Sequence, residues 1–289
     1  MLGEVQMNWL ILTIVSILLA GIGASIHRYI LRDEHVISYG FLFTFLSGLC
    51  FIPVLFTEPI VLPQTNGAWF LIIATAILWF TVNVIGFTAV KKIESTLGKP
   101  LAVSKVLVVV VLSVLMLGEA INEWKLGGTL LLMVGVLVLT WQKGWLGHLR
   151  DEGVQLMLVS AAITGVIAVL DKFNMGNISP NLYGFMMYMF AAVLLGGMTS
   201  YRIPQLKKTI KNKWKAILFV TASYGAMYYF LLNAYKLADV NVVYPIYHLN
   251  MLLTVGLGYF WLGEKTQFKQ RLAGAGLMII GAILIALGA

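Results

Sequence analysis

Leu117-Gly118-Glu119 recurs as Leu262-Gly263-Glu264, and the fold is read outward from these two stretches. The offset between them is 145, shared by Ala89 with Ala234 and by Pro100 with Pro245. Upstream the offset is 144, matching Ser16 to Ser160, Gly21 to Gly165, Arg28 to Lys172 and Tyr39-Gly40-Phe41 to Tyr183-Gly184-Phe185. Downstream it is 146, matching Gly128 to Gly274 and Gly135 to Gly281. Two single-residue slips over so many matches mark one unit used twice, residues 1–145 and 146–289.

The composition places both units in a membrane. The chain is 60% hydrophobic and 11% charged, with a mean hydropathy of +0.90. So few charges cannot furnish the water-facing shell of a soluble globule. Ten apolar runs are long enough to cross a ~30 Å hydrocarbon core. They lie near 9–27, 38–56, 68–89, 98–117, 124–142, 154–173, 181–200, 215–237, 240–262 and 270–288. The first run is expected to be a retained helix, because only Glu4 precedes it where a signal peptide would carry basic residues.

Several chemistries are excluded. Cys50 is the single cysteine, and His27, His35, His148 and His248 show no ligand spacing, so neither a disulfide nor a cysteine-based metal cluster is expected. Gly118 and Gly263 are followed by Glu, and no phosphate-binding glycine loop occurs. No cofactor is therefore expected. The net charge of +8 does not call for nucleic acid. With ten spans, most basic residues fall in the loops after odd-numbered runs, among them Arg28, Arg32, Lys91, Lys92, Lys143, Arg150, Lys207 and Lys269. The other side holds Lys125, Lys172 and Lys236. This bias makes the richer side cytoplasmic, puts both termini outside and suits a plasma membrane. The cluster from Arg202 to Lys215 reads as a solvated cytoplasmic loop, with contact to anionic lipid as the alternative.

Five helices per unit is an odd number, so the second copy enters the membrane from the opposite side. The expected fold is an all-α integral membrane protein of ten transmembrane helices in two inverted five-helix repeats. Inverted repeats characterise transporters whose site lies near the midplane and whose halves exchange conformation. The polar stretch from Lys143 to Gly153 is the joint.

The paired set Ala89, Pro100, Leu117-Gly118-Glu119, Gly128, Gly135 and Ala234, Pro245, Leu262-Gly263-Glu264, Gly274, Gly281 resembles the EamA-type branch of the drug/metabolite transporter superfamily, over essentially the whole chain. The resemblance implies secondary transport of small metabolites, often export. It also implies a central cavity formed mainly by helices 1, 3, 4, 6, 8 and 9. It does not specify the substrate.

Lys105 is the one basic residue deep inside a run, where a charge costs on the order of 3 kcal/mol or more unless it faces a wet cavity or a partner. It reads as a cavity cation for a carboxylate or phosphate, against a snorkelling structural lysine. Its repeat counterpart is Asn250. Tyr244, Tyr247 and His248 surround Pro245 and could orient a ligand; an interfacial aromatic belt is the alternative. Pro245 and Pro100 read as first-turn helix residues, with carbonyls left unpaired toward the cavity as the alternative. Trp79 and Asn83 match Tyr224 and Tyr228 at offset 145, each pair on one helix face, which suggests cavity lining or packing. Asp171-Lys172 matches His27-Arg28, and these four read as a gate or as ordinary helix-end polarity. Glu119 and Glu264 read as loop-locking caps ahead of proton coupling.

The expected function is secondary transport of a small organic metabolite, an amino acid or related carboxylate, with export as the direction. No enzymatic constellation is present in the sequence. The alternative is a lipid-headgroup flippase. The expected partners are a small-molecule substrate and the lipid bilayer, with a single chain as the working unit and a dimer as the alternative.

Overall fold

The computed structural model describes residues 2–92, 101, 103–141, 150–200, 203–261 and 268–289, and among these the chain is helical, without strands. The helices in order are α1 (Leu2–Asp33), α2 (Val36–Leu49), α3 (Ile52–Thr57), α4 (Asn66–Lys92), α5 (Ser104–Leu117) and α6 (Glu123–Thr140). They continue as α7 (Glu152–Asn174), α8 (Pro180–Thr199), α9 (Ile203–Leu237), α10 (Val240–Tyr247), α11 (Asn250–Trp261) and α12 (Phe268–Leu287). Nine segments among the described residues are long and apolar enough to cross a membrane, and α5 is a shorter apolar helix of 14 residues. The chain is thus a multi-pass membrane protein. Residues 93–100, 142–149 and 262–267 lie outside the described residues, and with them Pro100, Glu264 and most of the expected joint.

Two expected spans are broken, each beside a proline. Between α2 and α3 the helix is interrupted at Cys50–Phe51, and Pro53 sits in the first turn of α3, where its missing N–H is no loss. Pro245, by contrast, lies inside α10, five residues after Val240, which corrects the first-turn reading. It deprives the Asn241 carbonyl of its helical donor, and the helix stops at Tyr247 before resuming at Asn250. A second correction concerns the lysine cluster before the eighth span. From Ile203 onward it is not a loop but the first turns of α9, with a non-helical Lys213 (φ −135°, ψ 19°) marking the kink. Thr209 bonds Glu34, and Lys213 pairs with Asp33 at 2.7 Å, so two charged anchors hold these turns against α1.

Small residues set the closest approaches. A methyl on Gly165 of α7 would stand 2.7 Å from Val108 Cβ and 2.9 Å from the Lys105 carbonyl oxygen of α5. A methyl on Gly21 of α1 would stand 2.6 Å from Leu253 Cβ and 3.0 Å from the Asn250 carbonyl oxygen of α11. The two contacts match each other under the repeat offsets: Gly21 corresponds to Gly165 and Asn250 to Lys105. Each unit's first helix therefore presses a glycine against the other unit's proline-associated helix. The terminal helices pair in the same manner. Gly128 and Gly135 of α6 lie so close to Gly281 and Gly274 of α12 that a Cβ would meet backbone at 2.6–2.8 Å.

Polar contacts gather at the two ends of the bundle. One end joins Asp33 to Lys213, the Glu34 carbonyl to Lys91, and Lys92 to Glu152. The other joins Tyr229 to Glu58, Val61 to Ser179, Lys125 to Asp239 and Asn122 to Gly288.

Candidate functional site

A cavity of about 500 Å³ opens in the centre of the bundle. Its walls come mainly from α1, α4, α7 and α9, with Tyr244 and Tyr247 from α10 and the single residues Phe43, Lys105, Tyr188 and Thr254 from α2, α5, α8 and α11. Most of the lining is aromatic or aliphatic, with few charged groups, as expected of a small-molecule site.

Lys105 lines this cavity from the first turns of α5, its ammonium 6.0 Å from the centre of the Tyr244 ring. Among the described residues its ammonium has no hydrogen-bond or ion-pair partner. The Gly165 contact fixes the α5 backbone at Lys105, so a rigid element carries the charge. Trp79, Asn83, Tyr224, Tyr228, Tyr244 and Tyr247 line the cavity as well. Asn83 donates to the Trp79 carbonyl at 2.7 Å, which holds that part of α4 in register. The Trp79, Tyr188 and Tyr228 rings pack edge-on or tilted, with centres 5.1–5.6 Å apart. The Trp79 indole N–H is buried and has no hydrogen-bond partner among the described residues.

His248 and Asn250 are placed differently from the other candidates. Neither is among the lining residues. His248 is buried at the break between α10 and α11 with its ring 5.0 Å from that of Tyr244. Asn250 donates to the Tyr247 carbonyl at 2.9 Å and so serves the helix break itself.

The pair Asp171-Lys172 is split between two duties. Asp171 lines the cavity and is only 3% exposed. It accepts hydrogen bonds from the Tyr183 hydroxyl at 2.7 Å and the Tyr228 hydroxyl at 3.0 Å. Lys172 faces away and donates to the Tyr235 and Ala238 carbonyls at 2.6 and 2.9 Å, capping the C-terminal end of α9. His27 and Arg28 both line the cavity. His27 shares a hydrogen bond with the Tyr39 hydroxyl at 2.9 Å and is ringed by Phe43, Phe87 and Tyr224.

Glu119 lies away from the cavity. Its two carboxylate oxygens accept from the backbone N–H groups of Val240 and Asn241 at 2.8 and 3.0 Å. It thereby caps the N-terminus of α10, a helix of the other repeat; the following helix, α6, is capped by the Asn122 side chain. Burial raises the Glu119 carboxyl above its usual range, while the two backbone hydrogen bonds oppose that shift. Lys125, joined to Asp239 at 3.0 Å and to the Ala120 carbonyl at 3.1 Å, closes the same junction.

Sequence reasoning missed Phe43, Phe87, Tyr183 and Tyr188. Tyr183 carried a usable signal, since it is the repeat mate of Tyr39; the two phenylalanines and Tyr188 stand in apolar runs with nothing to separate lining from packing.

A helical membrane protein with a cavity lined from both of two related halves has the architecture expected of a small-molecule carrier. The chain is a member of the EamA-like transporter family, whose model matches residues 7–141 and 151–287. It is accordingly a membrane transporter of small molecules. A crystal structure described only as "Crystal structure of protein" has the same fold, with a TM-score of 0.72 at 16% identity over 96% of each chain. No curated protein matches the chain.

Proposed function

We propose that this protein is a secondary transporter that moves a small organic metabolite, an amino acid or related carboxylate, by alternating access across the plasma membrane, with export as its direction. The observation that carries the reading is Lys105: a cation on a packed helix, facing a largely apolar cavity, whose ammonium has no hydrogen-bond or ion-pair partner among the described residues. An ammonium in that setting is stabilised by an anionic ligand, and a carboxylate among aromatic walls meets the need.

Alternation requires two halves of opposite orientation. In this reading α5 is the fourth of ten spans, and residues 1–145 and 146–289 are inverted five-helix repeats. Two observations support it. The end of α1 and the start of its counterpart α7 are tied to the same end of the bundle, through Asp33 with Lys213 and Lys92 with Glu152. The glycine contacts at Lys105 and Asn250 also exchange the two repeats as a two-fold axis would. His27, Arg28, Asp171, Lys172, Glu119 and Glu264 are assigned to gating, with Glu119 holding one mouth shut. The protein works as a single chain. Nothing among the described residues favours the flippase alternative.

The test is counterflow. Purified protein in liposomes preloaded with unlabelled metabolites is expected to accumulate the labelled compound for some amino acid or carboxylate of a broad panel. A panel without any counterflow overturns the proposal.

A further inference from the structure

The helix α9 is longer than a span requires, at 35 residues. Rising about 1.5 Å per residue, residues 214–237 alone reach about 36 Å, enough for the ~30 Å hydrocarbon core. The turns before the kink at Lys213 are left over at the lysine-rich end of the bundle. They are held in place there. Thr209 is bonded to Glu34 and Lys213 to Asp33, with the Lys213 ammonium 4.3 Å from the centre of the Tyr29 ring.

These turns are amphipathic. Leu206, Thr209 and Lys213 are turned inward. Ile203, Ile210 and Trp214 follow one another at spacings of seven and four, so they share one flank. That flank is open, the three side chains being 49, 43 and 51% exposed. Lys207 and Lys211 border the stripe and Lys208 lies beyond them; all three are exposed and, among the described residues, without a partner. Residues 203–215 hold five lysines and no acidic residue. A helix bathed in water gains nothing from two isoleucines and a tryptophan on its open flank. An apolar stripe bordered by unpaired lysines, continuous with a spanning helix, matches the boundary where acyl chains meet anionic headgroups. Trp214 stands where the span begins, the usual place of an interfacial aromatic anchor.

We infer that residues 203–214 form an interfacial helix that binds anionic lipid. Headgroup phosphates meet Lys207, Lys208 and Lys211, and the upper acyl region covers Ile203, Ile210 and Trp214. The partner is a charged class of lipid and not the bilayer in general, and the inference is independent of the cargo. Each lysine at an anionic surface contributes roughly fivefold to binding.

The experiment titrates the purified full chain in detergent with phosphatidylglycerol or with phosphatidylcholine of the same acyl chains, and reads the melting temperature. Wild type is expected to need at least roughly tenfold less phosphatidylglycerol for half-maximal stabilisation, and the gap is expected to narrow in high salt. The triple variant Lys207→Gln, Lys208→Gln, Lys211→Gln is expected to lose most of the gap, and Lys236→Gln, at the other end of α9, to keep it. Replacing Ile210 and Trp214 with Ser is expected to weaken the response to both lipids. Glycerol phosphate and polyglutamate, anions without acyl chains, are expected to stabilise far less. Equal response of wild type to the two lipids, a gap indifferent to salt, or a triple variant that keeps it overturns the inference. So does an undiminished response after loss of Ile210 and Trp214. Polyglutamate or glycerol phosphate matching the lipid overturns it in favour of a soluble acidic partner. The salt and soluble-anion arms use wild type alone, so they decide the matter even if a variant does not fold.

Discussion

The Tyr183 hydroxyl donates to Asp171 at 2.7 Å, and its repeat mate Tyr39 meets His27, the repeat mate of Asp171, at 2.9 Å. The same tyrosine-to-first-helix tie has survived in both halves although its partner changed from base to acid. Its strength should not be equal in the two. Tyr183→Phe removes a bond to a buried carboxylate and is expected to destabilise by about 1.5–3 kcal/mol, whereas Tyr39→Phe removes a bond to an imidazole and costs about 0.5–1.5 kcal/mol. Thermal unfolding in detergent gives the order; a larger loss for Tyr39→Phe contradicts it.

Glu119 connects the two halves through backbone alone, which makes it sensitive to truncation. Glu119→Ala leaves the Val240 and Asn241 amides without their acceptor and is expected to cost about 1–2 kcal/mol. It should also loosen the junction it closes. With Cys50 replaced by Ser, a cysteine at Asp239 is expected to react faster with a water-soluble maleimide in the Glu119→Ala protein. Unchanged stability and labelling would remove Glu119 from the gate.

The α6–α12 seam offers a matched pair of substitutions. At Gly135 any Cβ meets the Gly274 carbonyl oxygen at 2.8 Å and the Met278 amide at 2.7 Å, while at Gly127 it meets nothing within 4 Å. Gly135→Val is expected to destabilise by ~3 kcal/mol or more, since backbone cannot move aside, and Gly127→Val by less than ~1 kcal/mol. Size-exclusion profiles and melting temperatures of the two variants decide the matter. Similar behaviour would mean that the seam is looser than described.

The proposed topology places the carboxyl end outside. A fluorescent protein fused after Ala289 is expected to stay dark, and a periplasm-active phosphatase fused there to be active. A bright fusion reverses the orientation inferred from the lysine and arginine bias.

The repeat made much of this legible beforehand. Matching offsets identified Trp79, Asn83, Tyr224 and Tyr228, the depth of its charge in an apolar run identified Lys105, and all five line the cavity. Offsets give position along a helix but not rotation or breaks, and there the reading failed. Asn250 matches Lys105 in position, yet the break at His248–Leu249 turns its side chain to the Tyr247 carbonyl. The Pro245 break needed knowledge of where α10 begins, which hydropathy blurs because Val240 to Trp261 reads as one apolar run. The lysine-rich start of α9 looked like a loop because its charges outweigh the stripe of Ile203, Leu206 and Ile210. Asp171 and Lys172 could not be told apart without their helix rotation, which sends one inward and the other onto carbonyls. Phe43 and Phe87 carry no sequence mark at all.

The most direct measurement is counterflow of a labelled carboxylate-bearing cargo into liposomes by wild type and by Lys105→Ala, with folding of both checked by monodispersity and melting temperature. The account predicts robust exchange by wild type and none above background by the folded variant. Exchange by Lys105→Ala at the wild-type rate would contradict it.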